Sequence, residues 1–247
     1  MIFKRFVLLI FLFISSFAGF AQENWGGGVD NEDLHFGFAF QFISTEFKIQ
    51  KSANWREPFP DPNNPGAYLT SPLVSISSPV SSGFSVGFIS DLRVGDHTNI
   101  RSTPALVFAD RLIDFKYTDP SENVRKQVQS ATFDIPLGFK LKSDRRKNFR
   151  AYFMAGVKYS IDIISKKKLN DENAPELEKL VKNQRNNFFY EAAIGFDLYF
   201  EYFKLSPEIK LSNSFKNVLY RDAKPNAFNT PIDKLFLRNL QFSLYFE

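Results

Sequence analysis

The 247-residue chain contains no cysteine, which excludes a disulfide framework, a thiolate metal site and a cysteine nucleophile. Histidine occurs only at His35 and His97, and neither has a second ligating residue at a recognised metal spacing. There is no glycine-rich phosphate loop, serine elbow or His-Glu-x-x-His pattern. No basic run is interleaved with aromatics, so a pI of about 9.1 does not point to nucleic acid. After residue 21 no apolar run reaches the ~20 residues a spanning helix needs, so the rest of the chain crosses no membrane as a helix.

The first 21 residues are of a different kind. Lys4 and Arg5 precede an apolar run from Phe6 to Phe13, and the segment closes on Ala18-Gly19-Phe20-Ala21. A basic start, a short apolar stretch and a small-x-small ending describe a secretory signal peptide, with cleavage expected between Ala21 and Gln22. The leader holds two bases and no acid, so half of the formal charge of +4 leaves with it. Residues 22–33 then form a short Gly-rich lead, and residues 34–247 are expected to be one domain.

What the chain has in abundance is phenylalanine, 30 residues of it, set in alternating patterns. From Leu34 to Gln41, Phe36, Phe38, Phe40 and the following Phe42 point one way, while His35, Gly37, Ala39 and Gln41 point the other. Side chains alternate across a strand, so this is a two-faced β-strand. Seven similar stretches follow, with apolar rows that include Phe84 to Leu92, Ile100 to Phe108, Phe133 to Leu141, Phe149 to Ile161, Phe188 to Phe200, Phe203 to Leu211 and Leu240 to Phe246. Roughly ten alternating residues repeated eight times predict an all-β fold, an eight-stranded antiparallel up-and-down transmembrane β-barrel.

The connections alternate in length. Those near residues 95–97, 143–148 and 201–202 are short; Gln50–Ser82, Thr118–Gln127, Ile163–Asn187 and Asn213–Lys234 are long. Short turns face the periplasm in outer-membrane barrels, which puts both chain ends there and the protein in a Gram-negative outer membrane.

Alternation alone does not separate a membrane barrel from a soluble one. The glycines do. Gly37, Gly87, Gly138, Gly156 and Gly195 share the polar face, and an eight-strand barrel has an interior only wide enough for side chains. The polar face is therefore the inner one and the phenylalanines meet lipid. The lumen is then expected to hold Asp91, Arg93, Arg101, Asp134, Lys140, Arg150, Lys158, Asp162, Glu191, Asp197, Lys204, Glu208 and Lys210. Unpaired charge is costly in such a space, so these residues should pair as a brace; an ion path is the alternative, but eight strands leave no aqueous channel. Pro104, Pro136 and Pro207 each remove a ladder donor and read as bulges or strand ends. Arg238 has outward parity and fits only at the rim.

Recognition should reside in the long loops. The first carries Trp55, Arg56 and Phe59 in a proline-rich setting, a candidate partner-facing surface. In the third, Lys166 to Lys168 could meet anionic headgroups, and Pro175 to Lys182 reads as a short amphipathic helix with Leu177, Leu180 and Val181 on one face. Both histidines lie at the short-turn end, away from the outer rim where a barrel enzyme would work. The chain reads as non-enzymatic, with no cofactor and no metal.

Three stretches go further. Asn24-Trp25-Gly26-Gly27-Gly28 leads into Leu34-His35-Phe36-Gly37-Phe38; Arg101-Ser102-Thr103-Pro104-Ala105-Leu106-Val107-Phe108 is followed by Arg111 and Tyr117. The third is Asp134-Ile135-Pro136-Leu137 with Lys140, Arg145 and Asn148, then Tyr152 through Gly156, Lys158-Tyr159-Ser160 and Asp162. In these the chain resembles the PorT-type outer-membrane β-barrels of Bacteroidetes. The resemblance implies an accessory barrel of the type IX secretion system, needed to export proteins with C-terminal sorting domains, among them gliding adhesins. It implies other secretion-system proteins and outer-membrane lipid as partners. The family has no catalytic motif to carry over.

Overall fold

The computed structural model describes Asp30 and residues 32–164, 174–221 and 225–247. The expected leader, most of the lead and Lys166 to Lys168 lie outside the described residues. Among the described residues fourteen strands follow in chain order: β1 (Leu34–Lys51), β2 (Leu73–Ser77), β3 (Ser81–Gly95), β4 (Thr98–Ser102), β5 (Ala105–Phe108), β6 (Arg111–Tyr117), β7 (Val124–Val128), β8 (Ala131–Lys142), β9 (Phe149–Asp162), β10 (Lys182–Asn183), β11 (Asn186–Tyr199), β12 (Lys204–Ser214), β13 (Leu219–Tyr220) and β14 (Ile232–Phe246).

Nine of them make one antiparallel sheet in the order β1-β14-β12-β11-β9-β8-β4-β3-β5, and β1 also pairs with β3, which closes it. Because β4 and β5 are two halves of one strand, the ring has eight strands. Closure leaves no exposed edge, the condition for a sheet to stand in hydrocarbon. Phe36 (67% exposed), Phe38, Phe40, Phe42, Phe84, Phe88, Phe139, Phe153 and Phe242 stand on the outside, and the charged row is inside.

The prolines interrupt pairing without shifting it. Ser102 pairs with Leu137 and Ala105 with Asp134, one register on either side of Thr103-Pro104. Across β11 and β12, Gly195 pairs with Glu208 and Leu198 with Leu205, again one register on either side of Pro207. Of the two expectations, a bulge forms at neither site: Pro104 marks a strand end, between β4 and β5, and Pro207 a pause in one ladder; each proline lacks an N–H, and the neighbouring rungs hold the strands aligned.

The long-loop end departs most from expectation. β1 continues ten residues past Gln41, and β14 begins at Ile232 instead of Leu240. In place of a plain Thr118–Gln127 loop, β6 and β7 form a hairpin around Pro120–Glu122, and β2 joins them in a three-stranded sheet. No amphipathic helix forms over Pro175 to Lys182. Only a single 3-10 turn, Glu176–Glu178, is present, with Leu177 exposed, Val181 buried and Lys182–Asn183 paired to β13. Eight residues are too few to sustain a helix unless its face is packed, and here Val181 is taken into a shared core beside the Lys182–Asn183 pairing instead.

These long-loop segments share a hydrophobic core. Phe47, Ile76, Ile113, Phe115, Phe189, Phe228, Leu235 and Leu237 cluster there, with the Phe115 and Phe228 rings 5.2 Å apart. The core caps the barrel.

Candidate functional site

Strand register determines which charges meet in the lumen. His35 lies opposite Asp91 across β1 and β3, and Asp91 lies opposite Arg101 across β3 and β4. Arg101 donates from Nε to Asp91 at 2.6 Å and from Nη2 both to Asp91 and, at 2.8 Å, to Glu247. Asn99 donates to Asp91 at 2.6 Å. Lys204 Nζ lies 3.0 Å from Glu247 Oε2, and His35 Nε2 lies 2.7 Å from the same oxygen. Lys140 donates to both oxygens of Asp197, at 2.8 and 2.9 Å, and Ser206 donates to Asp197 at 2.7 Å.

A tyrosine layer follows. Tyr152 and Tyr245 donate to the two oxygens of Glu208 at 3.0 and 2.9 Å, and Lys210 lies 3.2 Å from the same carboxylate. Gly195 pairs with Tyr152 on one side and Glu208 on the other, so their bond passes over it. A Cβ at Gly195 would come within 2.6 Å of the Tyr152 ring. The inward glycine is thus required by a polar side chain crossing above it.

Further toward the cap, Lys158 bridges Asp134 (3.0 Å) and Glu191 (3.2 Å), while Thr132 and Ser160 donate to Asp134. Asp162 accepts from Ser130 at 3.2 Å at the top of the lumen. The side chains of Arg101, Lys140, Asp91 and Glu247 are fully shielded from solvent. Charges removed from water this completely persist only with partners, so these contacts hold the ring's cross-section.

Of the residues expected in the lumen, eleven are buried there. Arg93 and Arg150 are not. Arg93 donates to Asp33 at 2.8 Å and Arg150 reaches Asp30 at 3.4 Å, both at the short-turn mouth. Their parity is inward and their backbones pair within the ring, but their side chains reach to the mouth and stay partly exposed. Residues left out of the expected set also take part: Glu247, His35, Tyr152, Tyr245 and Asp30. Glu247 continues the inward row of Gln241, Ser243 and Tyr245, so its place was readable by counting along the strand.

His35, Asp91 and Glu247 offer ligand atoms within 4.8 Å of one another, a spacing that could hold a metal ion. Arg101 and Lys204 already neutralise both carboxylates, so a cation there would meet two positive charges at contact.

At the other end, the cap contains a cavity of about 630 Å³, lined in part by Pro58, Phe59, Thr70, Leu73 and Ala227. Phe59 is half-buried, and its N–H donates to Thr70 Oγ1 at 3.1 Å. Trp55 is half-buried against the cap core, with Lys51 Nζ 3.9 Å over its ring and Arg56 at 5.0 Å on the solvent side. Arg56 is exposed. On the β6–β7 hairpin, the hydrogen bond from Arg125 holds the Asp114 carboxyl below its usual value, and burial pushes the Tyr117 hydroxyl up to about 12.

A family model described as the outer membrane protein beta-barrel domain matches residues 20–220. No curated protein matches the chain. Among solved structures, the outer membrane protein OprG from Pseudomonas aeruginosa is similar at 12% identity and a TM-score of 0.48, over 90% of this chain and 95% of that one.

Proposed function

The chain belongs to the outer membrane protein beta-barrel domain family, and from that premise we propose that it is a non-enzymatic accessory subunit of the type IX protein secretion system. One observation carries the reading: the lumen is packed with paired side chains, so whatever the protein does takes place at its ends. An eight-strand ring is too narrow to conduct a folded cargo protein in any case. The secretion role itself is supported by the PorT-like stretches around Arg101 to Phe108 and Asp134 to Asp162. In this reading the short turns and both termini face the periplasm, and the cap faces outward, where Trp55, Arg56 and Phe59 meet a partner.

The test is a clean deletion strain in which cargo with C-terminal sorting domains is quantified in the medium. Complementation uses the wild-type gene and a variant with residues 55–61 replaced. Retained cargo rescued only by the wild-type gene, with the variant correctly inserted, is the expected outcome. Undiminished export on deletion would discard the secretion role. Normal export from the variant would discard the assignment of loop one as the docking surface.

The cap cavity favours a second reading, a stand-alone barrel that binds a small ligand. Its volume falls within the range of about 300–1,000 Å³ usual for ligand pockets. That reading predicts ligand binding by the purified barrel and unchanged export on deletion. A lipid-modifying enzyme is disfavoured because His35 and His97 both lie at the short-turn end, remote from the cap.

A further inference from the structure

The short-turn mouth opens on a second cavity, polar and about 330 Å³ in volume. Its walls include Lys142 from the end of β8, Arg150 from β9, Arg93 from β3, and Arg145 and His97 from the turns, with Asp30 from the lead. Most of these groups are already engaged. Arg93 donates to Asp33 and to the backbone oxygen of Asp30, each at 2.8 Å. Arg145 donates to the Lys147 carbonyl at 2.8 Å and lies over the Tyr199 ring. His97 faces Asp144 at 3.0 Å. Asp30 accepts from Tyr199 at 2.7 Å.

Two cations remain short of acceptors. Arg150 touches Asp30 only at 3.4 Å, and its Nε is buried without a partner. Lys142 is only 8% exposed, yet among the described residues no acceptor is paired with its ammonium group. The Lys142 stem is buried while its ammonium group, with no protein acceptor paired to it, stands on the wall of an open cavity of ligand size. An anion with several acceptor oxygens, seated between Lys142 and Arg150, would satisfy both through charge-assisted bonds. The adjoining turn adds Arg145, Arg146 and Lys147, a basic cluster where the apolar belt ends, which draws anions toward the mouth.

We propose that this vestibule binds one phosphate group, with Lys142 as its central ligand and Arg150 as the second. The same chemistry is presented by inorganic phosphate and by the headgroup of a phospholipid in the adjacent leaflet. Asp30 and its carboxylate limit the site to a single anion.

The experiment is calorimetric titration of the purified barrel in a phosphate-free detergent, first with inorganic phosphate, then with short-chain phosphatidic acid. The proteins are wild type, Lys142→Met, Lys142→Arg and, as a cap control, Lys51→Met. Wild type and Lys51→Met are expected to bind, Lys142→Arg to retain binding, and Lys142→Met to lose about tenfold or more in affinity, the value of one charge-assisted hydrogen bond. Binding of inorganic phosphate assigns a free-ion site, and binding of the lipid alone assigns a headgroup site. Failure of both probes to bind wild type, or equal binding by Lys142→Met, overturns the proposal. If Lys142→Met does not insert, Arg150→Gln at the cavity rim takes its place with the same expected loss and the same contrary outcome.

Discussion

Within a single strand, β1, the two faces exchange character. In its first half the outward row is Phe36, Phe38, Phe40 and Phe42, and the inward row is His35, Gly37, Ala39 and Gln41. In its second half Glu46 and Lys48 face out while Ile43 and Phe47 face in, Phe47 only 3% exposed. β14 repeats the exchange at the same height. Below it, Phe242 and Phe246 face out over Gln241, Ser243 and Tyr245; above it, Arg238 faces out over Leu237 and Leu235. Glu46 and Arg238 are register partners, and their charges lie 3.7 Å apart on the outside. The backbone ladder runs through the exchange unchanged. What changes is the solvent: hydrocarbon on the outside demands apolar atoms and leaves the interior to paired charge, while water on the outside restores the ordinary arrangement.

The comparison is broken most severely from the inside. Arg101→Met leaves Asp91 buried without its cation and Glu247 with Lys204 alone, a loss of about 3–5 kcal/mol measurable by urea unfolding of the refolded barrel. In the cap, Phe115→Ala should cost a similar ~3–5 kcal/mol. Its effect should be confined to the cap, so limited proteolysis would cut there while the ring keeps its heat-modifiable gel shift. On the outside, Phe40→Arg puts a charge into the lipid belt at ~2–4 kcal/mol, whereas Phe236→Arg, above the exchange, should cost ~0–1. Equal costs at the two positions would erase the boundary.

The smallest effect is electrostatic and lies in the cap. The Asp114 carboxyl is held below its usual 3.8 by the hydrogen bond from Arg125. A depressed carboxylate contributes stability above its unfolded pKa and loses it as pH falls through the folded one. Acidification below about pH 4 should therefore loosen the β6–β7 hairpin slightly more in wild type than in Asp114→Asn, as read by hydrogen exchange. The pair is exposed, so added salt should shrink even that difference.

The membrane half of the molecule was legible because a period of two and a bilayer leave one solution: parity assigns the face and glycine assigns the inside. The cap half was not. At Ile43 and Phe47 the apolar residues shift to the other parity, so the alternation breaks off where β1 continues. Residues 175–182 carried helical spacing, but Val181 belongs to a core assembled from segments distant in the chain. In the lumen, parity gave the face and not the height, which is why Arg93 and Arg150 were expected inside and lie at the mouth. The partners were beyond reach for a different reason. Arg101 and Glu247 are 146 residues apart, and only ring closure brings them together.

The boundary itself admits a direct measurement. Because the chain has no cysteine, a single introduced one is a unique label site. Phe40→Cys, Phe236→Cys and Lys48→Cys would be prepared in phospholipid vesicles, labelled with a fluorophore and quenched from the lipid or from the water. The account predicts quenching of the residue-40 label by lipid-borne quencher alone, and of the residue-48 and residue-236 labels by the aqueous one. Aqueous quenching at residue 40 would contradict the placement of the phenylalanine row in the membrane, and with it the assignment of the charged face to the lumen.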